Sequence, residues 1–237
     1  MSGIKLRCSK DAYFDLTGPI IEVIVGDEKH VTFGVHENVI CAASQFFKKA
    51  MSGDWSESKS RSVRLANEEP EVFHLYMQWL YRDTLPVRND SPGLEGNAEY
   101  LQLAKAYVLG DLLQDGNFKD AVLDAMIERT TSKLSDGKMW FPVGPVIRHI
   151  YDNTMKSSEA RRLLVDMYTQ TGRSDWLRNW ACPEDLPKEF LYDLAIAVLD
   201  KRSQPEIPAG SPDPCAYHQH KAHKSICYRS RLAQKPH

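Results

Sequence analysis

The pattern of hydrophobic positions opens on Ile20-Ile21-Glu22-Val23-Ile24-Val25, a run apolar on both faces. Such a run predicts a buried central strand. Gly26-Asp27-Glu28-Lys29 reads as a hairpin tip and leads into a second short strand, His30-Val31-Thr32-Phe33-Gly34-Val35. From His36 the period becomes helical. Val39, Phe46, Phe47, Ala50 and Met51 suit two short helices broken near 42–44, with Ser44 as N-cap of the second. Residues 52–62 hold five serines and two acids around a lone Trp55, which predicts a loop. Val63-Arg64-Leu65 gives a third short strand.

Pro70 is placed to be a first helical residue, where its missing N–H is not needed. Val72, Phe73, Tyr76, Met77, Trp79 and Leu80 then make a helix apolar around most of its circumference, which must lie between other elements. Residues 86–97 are a Pro/Gly/Asn-containing loop. A helix follows over 98–109 with Leu101, Ala104 and Val108 on one face, and Gly110-Asp111 reads as a stop and a new cap. The next runs over 112–130 with Phe118, Val122, Ala125 and Met126 as its stripe. After the break Trp140-Phe141-Pro142-Val143-Gly144-Pro145, helices are expected over 146–153, 158–171, 174–180 and 186–199. The last carries Phe190, Leu191, Leu194, Ala195 and Val198 as its stripe. Residues 203–214 contain four prolines and read as a linker.

Composition narrows the class. The chain has 237 residues, 42% hydrophobic and 26% charged, ordinary globular proportions with enough length to bury a core. A net charge of -2 predicts no general affinity for nucleic acid or membrane. Five irregularly spaced Cys fit a reduced, intracellular protein, in nucleus or cytoplasm. There is no apolar run of signal length or of membrane-spanning length.

The ordered set Val35-His36, Val39-Ile40, Cys41, Ser44, Phe46-Phe47, Glu57-Ser58, Val63/Leu65, Glu69-Pro70-Glu71 and Trp79-Leu80-Tyr81 closely resembles a BTB (POZ) domain. It resembles in particular the short BTB proteins that are numerous in fungi. The matched stretch, from Pro19 to Tyr81, is about a quarter of the chain. Two positions depart from the family pattern: Glu22 stands where an Asp is usual, and Tyr81-Arg82-Asp83-Thr84 replaces Tyr-Thr-Gly-Asp. The resemblance implies an α+β fold, a small β-sheet flanked by helices, with an all-helical C-terminal extension. The implied layout is an N-terminal arm over 1–18 and a BTB/POZ domain over 19–134 with its core at 19–88. A helical extension over 139–202 follows, then a linker and Cys/His-containing basic tail over 203–237.

The tail alone suggests inorganic chemistry. Cys215-x2-His218 is a ligand pair, and Cys227 with His220 completes a tetrahedral zinc set. The C-x2-H-x-H…C order resembles a tail found in fungal BTB proteins and favours His220, with His223 as the alternate ligand. Four protein ligands would close the shell, making such a zinc structural. The competing reading is a solvated tail that happens to carry histidines. Lys221, Lys224, Arg229, Arg231 and Lys235 make the segment basic. No recognition helix with a basic face accompanies it, so nucleic acid is not an expected partner.

No catalytic set emerges. His36 sits where the family places a structural His, and Cys41 lies in an apolar helix pattern without a cationic neighbour. Glu68-Glu69 adjoin the Pro70 helix start, where negative charge suits the dipole. There is no P-loop, dinucleotide fingerprint or nucleophile elbow. Phe46, Phe47, Met51 and Trp55 are the candidate partner-interface residues, either as an exposed apolar patch or packed beneath the Ser-rich loop. The expected function is therefore a non-enzymatic interaction module without cofactor, mediating homo- or hetero-oligomerisation. Through resemblance, self-association would use 36–51. A second expectation is a substrate adaptor that docks a cullin-type ubiquitin ligase scaffold around Phe73–Tyr81. A third is a transcriptional or chromatin co-regulator.

Overall fold

The computed structural model describes residues 15–53, 55–89, 91–93, 95–180 and 186–201. Two strands, β1 (Ile20–Val25) and β2 (Val31–His36), are followed by three short helices, α1 (Glu37–Ala43), α2 (Gln45–Ala50) and α3 (Ser56–Ser60). Strand β3 (Ser62–Leu65) precedes α4 (Pro70–Arg82), α5 (Asn97–Leu113), α6 (Gly116–Thr131), α7 (Gly144–Asn153) and α8 (Glu159–Thr171). A π-helical turn (Trp176–Trp180) and α9 (Lys188–Lys201) complete the described part. The expected α+β arrangement, a small sheet flanked by helices with a helical C-terminal part, is what the chain forms.

The sheet order is β2-β1-β3, with β1 antiparallel to β2 and parallel to β3. Ile21, Val23 and Val25 are fully buried on one face of β1, each worth roughly 1.5–3 kcal/mol of transfer free energy. The other face is a correction to the expectation. Ile20 is 58% exposed and Glu22 is also exposed, with Ile24 half-buried, so this face of the central strand is only partly covered. Helix α4 lies on the buried side, where its Phe73 meets Phe33, the partner of Val23.

Two further differences have local causes. The Ser-rich stretch contains the single turn α3, ended by Arg61 in a left-handed conformation (φ 57°). Gly110 does not stop a helix. A Cβ there would meet Lys119 Cγ at 2.8 Å and Phe118 Cδ1 at 3.0 Å, so the glycine lets α6 approach α5 closely and α5 runs through it. The actual stop is Gln114, left-handed at φ 54°, followed by the N-cap Asp115. Because α5 is central, Tyr100, Leu103, Ala106, Tyr107 and Leu109 are buried around it, beyond the expected Leu101/Ala104/Val108 face.

One buried hydrophobic core joins the sheet, α4–α6, α7–α8 and the start of α9, from Ile21 to Leu194. By internal contacts the chain separates into 1–197 and 198–237; the second unit contributes only the last turn of α9 to the described residues. Among the described residues no helix is long and apolar enough to cross a membrane.

Candidate interaction surfaces

The break between α1 and α2 is fixed by one hydroxyl. Ser44 Oγ accepts the Phe47 N–H at 3.2 Å and donates to the Leu113 carbonyl at 2.6 Å, tying the break to the end of α5. Beside it, Asp115 caps α6 by accepting the Phe118 N–H at 3.0 Å, while its other oxygen accepts the Tyr76 hydroxyl proton at 3.0 Å. Burial first, and the neighbouring Asp115 second, push the Tyr76 hydroxyl far above its ordinary pKa. The phenol is held neutral as a donor. These bonds set α1 and α2 against α4 and α5.

With that frame the four predicted interface residues separate. Phe47 is fully buried and meets Phe46 edge-on at 5.2 Å; Met51 is also buried. Phe46 is half-buried, and Trp55, at the start of α3, is 67% exposed. The surface offered to solvent on this side is therefore Trp55 and the outer part of Phe46. On α1, the small side chains Val39, Ala42 and Ala43 line a shallow depression of about 400 Å³ with Trp79. A partner helix can approach closely there.

A second surface lies between β2 and α4. The two run side by side in the same direction: Phe33 meets Phe73 at 5.0 Å, and His36 meets Tyr81 at 6.0 Å further on. Within the region predicted for a cullin scaffold, Phe73, Leu75, Tyr76 and Leu80 are buried and Trp79 is half-buried at the α1 depression, while His74, Met77, Gln78 and Tyr81 are accessible on the β2 side. Together with Val31 and Phe33 these form a largely apolar groove of about 640 Å³. The sequence reading missed this groove. Its signal was the α4 pattern itself, more apolar than three strands can cover.

The other singled-out groups have structural partners. Tyr81 Oη accepts the His36 backbone N–H at 3.0 Å and lies 2.9 Å from His36 Nδ1. Cys41 is half-buried, and burial, followed by the nearby Glu37, pushes its thiol up to about 11. That is the opposite of an activated thiolate. Glu69 takes the Lys105 ammonium at 2.6 Å, and burial, then Glu69, raises the Glu68 carboxyl. Among the described residues there is no group of three or more His, Cys, Asp or Glu placed to hold a metal ion. The predicted zinc set, Cys215, His218, His220 and Cys227 with His223, lies outside the described residues.

Residues 14–118 match the family described as "BTB/POZ domain". A zebrafish (Danio rerio) relative, Kelch repeat and BTB domain-containing protein 8, is 27% identical over 96 residues. The match covers 40% of this chain and 15% of that protein, so the chain corresponds to only a small part of its length. The BTB domain of zebrafish PATZ1 aligns at 18% identity with a TM-score of 0.32, over 46% of this chain and 76% of that one.

Proposed function

We propose that this chain, which carries a BTB/POZ domain over residues 14–118, is a non-enzymatic protein–protein interaction module. It pairs with a second copy or with another BTB protein through the side bearing α1, α2 and Trp55. The observation that carries this reading is Trp55. A large indole left 67% exposed, on the segment that follows α2 with its half-buried Phe46, is the kind of aromatic anchor on which binding energy concentrates. The shallow, small-residue face of α1 adds a place for a helix to pack. The test is mass in solution by light scattering across a concentration series, for the native chain and for Trp55→Ala. A dimer whose dissociation constant rises at least about tenfold in the variant supports the surface. A strict monomer removes self-pairing and leaves another BTB protein as the partner of this surface; a dimer indifferent to Trp55 removes the surface.

The adaptor reading draws on a different observation, the accessible flank of α4. Binding of a purified cullin scaffold at micromolar concentration, lost in Gln78→Arg, is its expected result; no binding at that concentration counts against it.

A further inference from the structure

We propose that the outer edge of β2, unpaired among the described residues, and the flank of α4 together form a receiving site for one extended peptide segment of a partner, added as a fourth strand. The reading rests on the interaction-module function but uses a surface separate from Trp55.

The direction of the main-chain groups follows from the hydrogen bonds of β1. The Glu22 N–H donates to the Arg61 carbonyl and the Gly26 N–H to the Leu65 carbonyl, so the even-numbered residues of β1 point toward β3. Their antiparallel partners on β2 are Thr32, Gly34 and His36. In an antiparallel pair the groups alternate sides, so these three point away from β1. The His36 N–H confirms the parity by donating outward to Tyr81 Oη. At Thr32 and Gly34 no backbone partner exists among the described residues, and β2 is the outer strand. Unpaired edges of this kind are templates for strand addition.

An open edge alone does not choose an occupant; the floor beside it does. Met77 and Tyr81 of α4 line the groove with Val31, which is 45% exposed. A strand one spacing beyond β2 would rest every second side chain on this floor, so the occupant needs apolar residues at alternate positions. Charge sets its ends. Because α4 runs alongside β2 with Phe73 against Phe33 and Tyr81 against His36, the groove residue Glu71 falls toward the start of β2 and Arg82 toward its end. The segment therefore carries a basic residue at one end and an acidic one at the other, spaced to meet them.

The test uses two fluorescent heptapeptides on the full chain, Lys-Val-Thr-Val-Thr-Val-Glu and its reverse, read by anisotropy. One of them is expected to bind at micromolar concentration. A scramble that blocks the valines together, and a version N-methylated at alternate backbone positions, are expected to bind at least about tenfold more weakly. Thr32→Pro removes an outward N–H without touching the β1 ladder and is expected to give the same loss. If that variant fails to fold, Arg82→Glu serves: it should weaken the original peptide and prefer one with Glu replaced by Lys. Equal binding of the methylated peptide, or no binding by either order, overturns the proposal. So does a dimer that Thr32→Pro abolishes while no peptide binds, since the occupant is then a second copy. None of these failures alters the Trp55 result, which light scattering reads independently.

Discussion

Asp115 holds two elements with one side chain. One carboxylate oxygen caps α6 and the other accepts the buried Tyr76 hydroxyl from α4. Asp115→Ala removes the cap, worth about 1 kcal/mol, and strands a buried hydroxyl at about 1–3 kcal/mol. The expected loss is roughly 2–4 kcal/mol, read as a lower urea midpoint. Tyr76→Phe in the same background should recover part of it. The Arg129–Glu99 pair, 3.0 Å apart with both side chains almost fully buried, is a harsher case. Glu99→Gln leaves a buried guanidinium without its counter-charge and should cost about 3–5 kcal/mol. Replacing both, Glu99→Leu with Arg129→Met, should cost less than Glu99→Gln alone. At Cys41 the sign concerns protonation. Its folded pKa of about 11 stands above the ordinary 9.0, so the contribution is complete below pH 9 and is lost as pH rises toward 11. Mapped alkylation of native protein at pH 8 should leave Cys41 unmodified until denaturant is added.

At the scale of elements, Gly110 separates what a chain reveals about itself from what packing adds. Helix propensity favours Ala over Gly by about 1 kcal/mol in a helix interior, so a local view predicts that Gly110→Ala stabilises α5. The close approach of Phe118 and Lys119 predicts the reverse. Lys119 can swing aside, but Phe118 is fully buried and cannot. The expected outcome is a net loss of about 1–3 kcal/mol, seen as a lower melting temperature. The same division explains the rest. The strands, the Ser44 cap and the Pro70 helix start were legible because each rests on neighbours in sequence. Which face of β1 is covered was not, because Ile20 and Ile21 are chemically alike and only the position of the helices distinguishes them. For the interface candidates, the sequence singled out Phe46, Phe47, Met51 and Trp55 but held no signal for which would turn inward. The apolar excess of α4 signalled an uncovered surface, but placing it as a β2–α4 groove requires knowing that the sheet ends at β2.

For the larger unit, the question is whether 19–134 stands as a domain apart from the helices behind it. The resemblance places a boundary between 134 and 139, and the packing argues against an autonomous one. Helix α7 lays Val146, Ile147 and Ile150 into the same core as Tyr100, Leu103 and Tyr107 of α5. The Tyr100 hydroxyl donates across the expected boundary to the Trp140 carbonyl at 2.9 Å. Beyond α7 the linkage continues: Phe190 packs edge-on against both Tyr151 and Tyr168, at 5.6 and 5.2 Å. Arg161 of α8 donates to the Tyr151 carbonyl at 2.6 Å and to Glu189 at 3.1 Å. Ending the chain at residue 138 would strip cover from one side of a helix buried nearly all round, exposing several large side chains to water at once. The full chain is therefore expected to unfold in urea in one transition, with intrinsic fluorescence and far-UV circular dichroism giving the same midpoint. A fragment of residues 1–138 is expected to aggregate, or to unfold at a distinctly lower urea concentration. Two separated transitions in the full chain, or a fragment as stable as the first of them, would restore the boundary and make the helices behind it an independent partner-binding unit.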